Sequence, residues 1–320
     1  MKKQYFFSFV LAALSFVAAK SLQEVGVEHY YYEKATNFKK EDGYFDLAAP
    51  ASVSNLPMGI IPFSDVSMMD STHLVCIDSK SGGVLFYDLA LNTVSNPLEL
   101  GVNRQFTDVS MIDSTLILFD SDKKVHFLLP PYDSTSFIAS DELQEDFNSS
   151  GICLHESTKR LFMLGELQER ENGEYSCSIY AFNLNRHKLR EEPLFDINTA
   201  DIELFAMNNN LLLPRKITSE GDTIDGLNFK PTAMAIHPKT NEIYVLSSED
   251  RSLVVFSQFG DVVNFTTLNA TNFSQPTGMT FQKNGDLLIT NSDLLHPSIV
   301  TLKWNKLLQS MEGHGLIFGR

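Results

Sequence analysis

The residues best suited to chemistry belong to a five-residue sequence motif that recurs along the chain and that we call the phrase. Each copy begins with a small hydroxyl residue, and the copies cover 64–68, 107–111, 150–154, 232–236 and 277–281. In two copies a carboxylate follows, as Asp65 and Asp108, where the other copies have Gly or Ala. A ring of hydroxyls can hydrogen-bond a polar ligand, and a pair of carboxylates can bind a hard cation such as Ca²⁺.

The hydroxyls of the phrase are therefore candidate ligand-binding groups, namely Ser64, Thr107, Ser150, Thr232 and Thr277. An alternative is that these residues are small only because the strands that carry them are crowded. Asp65 and Asp108 are candidates for the same site, and their alternative role is a hydrogen bond at a turn or a strand end.

The spacing of the phrase predicts the architecture. Successive copies begin 43, 43, 82 and 45 residues apart. A repeat of about 40–50 residues built from short strands is typical of a β-propeller. Because 82 is close to two periods, we expect an eroded copy near 191–229, and hence a six-bladed propeller with one degenerate blade.

One copy shows the plan of a blade. The segments 232–236, 242–247, 253–257 and 262–268 are apolar, and turn-forming residues separate them. This predicts an all-β fold of four-stranded antiparallel blades. The phrase is then the inner strand of each blade, and its hydroxyls surround the central channel. The segment 44–48 is expected to supply the missing fourth strand of the last blade and so to close the ring.

The amino-terminal residues predict export. Lys2 and Lys3 precede an apolar run over 5–17 and small residues at 17–19, which is typical of a secretory signal peptide over 1–19. A membrane anchor is the alternative, but the run is short for a span. We expect a secreted or periplasmic protein with a mobile, charged lead-in over 20–42 and a single β-propeller domain over 43–320.

Composition excludes some classes of partner. The net charge of −15 argues against nucleic acid and against anionic membranes. Three cysteines are too few, and odd in number, for a disulfide framework. Cys153 and Cys177 are expected on strands separated by a third, which is too far for a bridge. We expect a monomer without a membrane span.

Motifs for catalysis are missing from the sequence. The chain has no G-x-S-x-G, no second His four residues after His155, no C-x-x-C and no phosphate-binding P-loop. Asp120 begins a segment that resembles a calcium loop, but Gly is missing at the sixth position and no Glu closes the loop. That segment is better interpreted as a turn.

Two late segments suggest a family. Residues 229–248, and 275–281 with 284–291, resemble the late-blade signature of the SdiA-regulated propeller family, which is similar to NHL-repeat and esterase-like-phytase propellers. The resemblance covers roughly 43–303 and implies a six-bladed, exported propeller without a firmly assigned activity. The family's acidic residue before a Ser-Gly pair is absent, since 62–65 ends in Ser64-Asp65. Asp78 is the one site residue that the resemblance carries over.

Three functions compete at this point. The first is a binding module whose channel mouth takes a small molecule, a peptide or a glycan, without a cofactor. The second is a calcium-dependent phosphoesterase or lactonase-type hydrolase, for which the available carboxylates are Asp65, Asp78, Asp108 and Asp120. The third is a scaffold for protein–protein contacts that uses the acidic rim.

Overall fold

The computed structural model describes residues 43–57, 59–100, 104–133, 137–143, 149–169, 175–217 and 223–306. The predicted signal peptide (1–19) and lead-in (20–42) lie outside these ranges, so both stay predictions. Among the described residues, no helix combines the length and apolar character needed to cross a membrane.

Short antiparallel strands provide nearly all of the regular secondary structure among the described residues. The chain begins with β1 (Gly43–Tyr44) and β2 (Ser52–Asn55). Blade 1 contains β3 (Phe63–Met68), β4 (His73–Asp78), β5 (Val84–Asp88) and β6 (Thr93–Val94). Blade 2 contains β7 (Phe106–Ile112), β8 (Thr115–Asp120), β9 (Lys124–Leu128) and β10 (Phe137–Glu142). Blade 3 contains β11 (Ser149–His155), β12 (Arg160–Gly165), β13 (Gln168–Glu169), β14 (Tyr175–Asn183), β15 (Lys188–Leu189) and β16 (Phe195–Asn198).

The second half of the chain begins with an insertion. It contains α1 (Thr199–Asn208) and a hairpin of β17 (Arg215–Ile217) and β18 (Thr223–Asp225). Blade 4 contains β19 (Pro231–Ile236), β20 (Ile243–Ser247), β21 (Ser252–Phe256) and β22 (Val262–Thr267). Blade 5 contains β23 (Pro276–Phe281), β24 (Leu287–Asn291) and β25 (Ser298–Leu302), and β26 (Asn305–Lys306) follows it.

The ring has five blades. The inner strands β3, β7, β11, β19 and β23 contact one another in sequence, and β23 contacts β3, which closes the circle. The all-β propeller prediction is therefore confirmed. Blades 1, 2, 4 and 5 are four-stranded as predicted, with β2 as the outer strand of blade 5. Blade 3 instead has a split outer strand, in which β15 and β16 both pair with β14.

The prediction of six blades, one of them degenerate, is wrong. The extra residues between the third and fourth copies of the phrase form α1 and the β17–β18 hairpin instead of a sheet of the ring. Ile202 and Ala206 of α1 are buried in the apolar cluster between blades 3 and 4, together with Leu227 and Phe229. The insertion therefore packs over the interface between blades 3 and 4 and is not a degenerate blade.

The interior strands are apolar on both faces because each blade is covered by two neighbours. All five residues of β20, of β21 and of β24 are buried. Five apolar clusters fill the five interfaces between adjacent blades. A strand buried on both sides reads as a continuous apolar run, and this is the pattern of the second strand in every blade.

The ring is closed by a different segment from the one predicted. Strand β2 pairs with β25 and supplies the outer strand of blade 5, whereas 44–48 does not. Phe45 packs instead among Tyr244, Phe281 and Trp304, with ring centroids 6.2, 6.3 and 5.0 Å away. Both contacts join the start of the propeller to its end. The prediction that a strand from the start of the propeller completes the last blade was therefore right, but that strand begins at residue 52 and not at residue 44.

Candidate functional site

One end of the central channel opens into a cavity of about 560 Å³ whose wall is rich in hydroxyl groups. We call it the hydroxyl mouth. Every blade contributes the first residue of its recurring phrase to the lining, namely Ser64, Thr107, Ser150, Thr232 and Thr277. The structure thus brings together all the hydroxyl residues that the sequence singled out.

These hydroxyl residues share an unusual backbone position. The pairing of each inner strand with the second strand slips by one residue at this point, for example between Phe63 and Asp65 in blade 1 and between Pro231 and Ala233 in blade 4. The same slip occurs in the other three blades. Each hydroxyl residue is therefore the extra residue of a β-bulge, and a bulge is a common way to redirect one side chain at the end of a strand.

The bulged hydroxyls differ in how firmly they are engaged within the protein. Ser64 and Thr232 each donate to a backbone carbonyl of the second strand at 3.4 Å, which is long for an O–H···O hydrogen bond. Thr107 lies equally far from the carbonyl of Phe119, but its one proton goes to the carboxylate of Asp108 at 2.7 Å. Thr277 makes the better contact, because its Oγ1 donates to the carbonyl of Phe63 in the next blade at 3.0 Å. A hydroxyl accepts as well as donates, so these groups keep capacity for a ligand.

The second position of the phrase faces the neighbouring inner strand. A Cβ added to Gly278 would lie 3.2 Å from the Cα of Asp65, and one added to Gly151 would lie 3.3 Å from the amide nitrogen of Met234. Where this position is Asp65, the carboxylate accepts a hydrogen bond of 2.8 Å from the backbone N–H of Val109. Asp65 is buried between blades 1 and 2 and does not line the hydroxyl mouth.

Asp108 is the carboxylate that lines the mouth. Its side chain is buried and accepts a hydrogen bond of 2.7 Å from Thr107. Burial raises the pKa of Asp108 to about 6, although the Thr107 hydrogen bond acts in the opposite direction. Burial and the nearby charge of Asp108 raise the pKa of Asp65 well above its ordinary value. Both carboxyls therefore lose their protons at a higher pH than an ordinary aspartate does.

The other two candidate carboxylates have structural partners. Asp78 accepts hydrogen bonds from the backbone N–H groups of Lys80 at 2.9 Å and Ser81 at 2.7 Å, as a turn residue does. Asp120 is buried against Arg104 at 2.8 Å and His126 at 2.6 Å. Burial opposes ionisation of Asp120, yet the hydrogen bonds from Arg104 and His126 hold its pKa below the ordinary value.

A calcium site would need several carboxylates around one point. Among the described residues, no three His, Cys, Asp or Glu side chains gather in this way. The structure therefore does not bring Asp78 and Asp120 to the Asp65–Asp108 pair, and binding of calcium by these residues stays a prediction that the geometry does not favour.

The opposite end of the channel has a different chemistry. Its cavity, about 140 Å³ in volume, is lined by the last residues of the phrase, including Met68, Met111, Leu154 and Phe281. We call it the methionine mouth. The same cavity is also lined by Ser67, Ser110, Glu156, Asn241 and Lys283, so apolar and polar side chains are mixed at this end of the channel.

Some lining residues were missed in the sequence. Ser79 and Ser292 directly follow second strands, and Gln275 precedes β23, and all three line the hydroxyl mouth. The sequence pattern shows that these residues lie next to strand ends. It does not show which end of the channel they line, because that depends on the direction of each strand in the closed ring. The three cysteines, Cys76, Cys153 and Cys177, are buried and unpaired.

Comparison with known proteins gives the fold and no family. No protein family matches the chain, and no curated protein matches it either. A glutaminyl cyclase of Myxococcus xanthus is 9% identical with a TM-score of 0.54, covering 81% of this chain and 97% of that one. Streptogramin B lyase is 14% identical with a TM-score of 0.46, covering 82% and 98% of the two chains. The WD40 β-propeller domain of Doa1 is 11% identical with a TM-score of 0.43, covering 82% and 97%. At 9% identity, the likeness to the glutaminyl cyclase concerns the fold alone and says nothing about activity.

Proposed function

We propose that this protein is an exported binding module that holds a small polyhydroxylated ligand, such as a mono- or oligosaccharide, in the hydroxyl mouth. One observation carries the proposal: each of the five blades places a bulged Ser or Thr in the wall of a single cavity of about 560 Å³. Export through the predicted signal peptide over 1–19 is part of the proposal, and so is the likeness to the SdiA-regulated propellers.

The chemistry of the mouth suits a sugar. Hydroxyls both donate and accept, as sugar hydroxyls do, and Asp108 adds a carboxyl at the same wall. Leu294 and Pro231 provide apolar surface in the lining, against which the C–H face of a sugar ring can pack. Cavities of roughly 300–1,000 Å³ are the usual size for small-molecule sites.

The test is saturation-transfer NMR on the protein from residue 20 onward with a panel of hexoses, N-acetylhexosamines and their disaccharides. We expect signal transfer to at least one sugar and its loss in Thr232→Phe, because the ring would fill part of the mouth. Thr267→Phe is the matched control, since Thr267 is exposed on β22 of the same blade.

Two results would contradict the proposal. One is the absence of transfer to every sugar in the panel while the unaltered protein is folded by circular dichroism. The other is equal transfer in the unaltered protein and in Thr232→Phe, which would place sugar binding outside the hydroxyl mouth.

A further inference from the structure

A second site lies on blade 3, away from the channel. A groove of about 390 Å³ is lined by four cationic side chains, Arg160, Arg186, Lys188 and Arg190. We call it the cationic groove. The whole chain has 25 Lys and Arg against 40 Asp and Glu, so this groove is opposite in sign to the rest of the molecule. A positive groove on a negative protein is a local feature that the overall charge does not explain.

Strand register places these cations on one face. Arg160 of β12 pairs with Asn183 of β14, and Asn183 pairs with Lys188 of β15, so the three form one row across the sheet. Arg190 lies two rows further on, opposite Ala181, because its N–H bonds to the carbonyl of Ala181 at 2.9 Å. Side chains two apart on a strand point to the same face, so Lys188 and Arg190 lie side by side.

This arrangement concentrates positive charge on one face of the sheet. Like charges brought together on one face of a sheet repel each other. The neighbouring positions on the same face, Phe162 and Ala181, are buried in the apolar cluster between blades 3 and 4. Where that apolar interface ends, the same face continues with cations, and the groove is open to solvent.

Carboxylates balance only part of the charge. Lys188 lies 3.5 Å from Glu191, and Arg190 lies 3.5 Å from Glu192, with every one of these side chains half or more exposed. Exposed pairs of this kind are weak and exchange readily for another anion. Within the described ranges, neither Arg160 nor Arg186 takes part in an ion pair. Two guanidinium groups are therefore available to a ligand.

We propose that the cationic groove binds a small multivalent phosphate-type anion, such as a phosphorylated metabolite. Guanidinium groups present paired N–H donors that match two oxygens of a phosphate, and charge-assisted bonds of this type are among the strongest in proteins. Several cations in a row suit an anion with more than one phosphoryl group. The site is separate from the hydroxyl mouth and does not depend on the function proposed for it.

The test uses inorganic pyrophosphate as the probe, titrated into the full protein by calorimetry. We expect saturable binding that weakens about tenfold or more in the double variant Arg160→Gln/Arg186→Gln, which loses both free guanidinium groups. The matched control is Lys80→Gln/Lys303→Gln, which removes the same charge from exposed positions outside the groove. Binding should also weaken as NaCl rises from about 0.05 M to about 0.2 M.

Several results would overturn the proposal. Absence of saturable heat with pyrophosphate would do so, as would an equal loss of affinity in the control variant, which would show unspecific attraction. Equal affinity for orthophosphate and pyrophosphate would refute a multivalent ligand. Thr232→Phe must leave pyrophosphate binding unchanged, so failure at the hydroxyl mouth and failure at the cationic groove are distinguishable.

Discussion

Replacing Asp108 by Asn should stabilise the protein at neutral pH. Asp108 is buried, and its pKa of about 6 compares with an ordinary value of 3.8. The folded protein therefore holds this proton more tightly than the unfolded chain does. Ionising Asp108 in the folded state is penalised, and an amide of the same shape does not ionise. The amide oxygen can still accept the hydrogen bond from Thr107.

The magnitude follows from the difference in pKa. About two units between folded and unfolded states correspond to about 3 kcal/mol of unfolding free energy, at about 1.4 kcal/mol per unit. Because the pKa of Asp108 is higher in the folded state than in the unfolded state, the unfolding free energy of the unaltered protein is highest below about pH 4. It falls as pH rises from about 4 to about 6. Asp108→Asn should therefore match the unaltered protein near pH 4 and exceed it above pH 7.

The assay is urea unfolding followed by circular dichroism at intervals between about pH 4 and pH 8. Asp122→Asn is the control, since Asp122 is exposed in the turn after β8 of the same blade. A difference between Asp108→Asn and the unaltered protein that is the same at every pH would refute the reasoning, because it would mean that Asp108 does not hold its proton in the folded state.

Two further predictions concern the ring itself. Gly278→Ala should lower the unfolding free energy by about 1–3 kcal/mol, because the new methyl would lie 2.7 Å from Thr290 Oγ1 and 3.2 Å from Asp65 Cα. Gly83→Ala, whose methyl would lie 3.1 Å from Ser81 Oγ and 3.8 Å from Pro97 Cβ, should cost less in the same urea titration; equal costs would refute crowding of the inner strands. Phe45→Ala should destabilise by about 2–4 kcal/mol and shift the emission of Trp304, the one tryptophan of the chain, whose ring lies 5.0 Å away. Phe259→Ala, at a half-exposed position, should do neither, and an unchanged Trp304 emission in Phe45→Ala would show that Phe45 does not close the ring.

The local structure could be predicted because its determinants are local. Each second strand is an apolar run bounded by turn residues, and that pattern alone specifies a strand buried on both faces. The recurring phrase was correctly interpreted as the inner strand, and the first residues of its five copies line one cavity, whereas their role in ligand binding stays a prediction. The closing strand was misplaced, because 44–48 and β2 are both short and neither carries a decisive pattern.

The candidate site could be predicted only in part. Asp65 and Asp108 occupy the same position of the phrase, yet Asp65 turns to the N–H of Val109 while Asp108 lines the hydroxyl mouth. Asp78 was expected near them and instead holds a turn. The hydrogen-bond partner of such a carboxylate comes from the neighbouring blade, which is about 40 residues away along the chain. The residues that flank the carboxylate in the sequence therefore do not predict that partner.

The sequence by itself determined the strands, the inner position of the recurring phrase and the ring of hydroxyls, since these follow from residue type and period. Tertiary structure decided the number of blades. A gap of 82 residues is compatible with an eroded blade or with an insertion, and only the packing of Ile202 and Ala206 into the interface of blades 3 and 4 identifies the insertion. Tertiary structure also created the cationic groove, because its four cations come together only when β12, β14 and β15 pair. Spacing along a chain records local structure, whereas ring closure and cross-strand neighbours are set by contacts between distant segments.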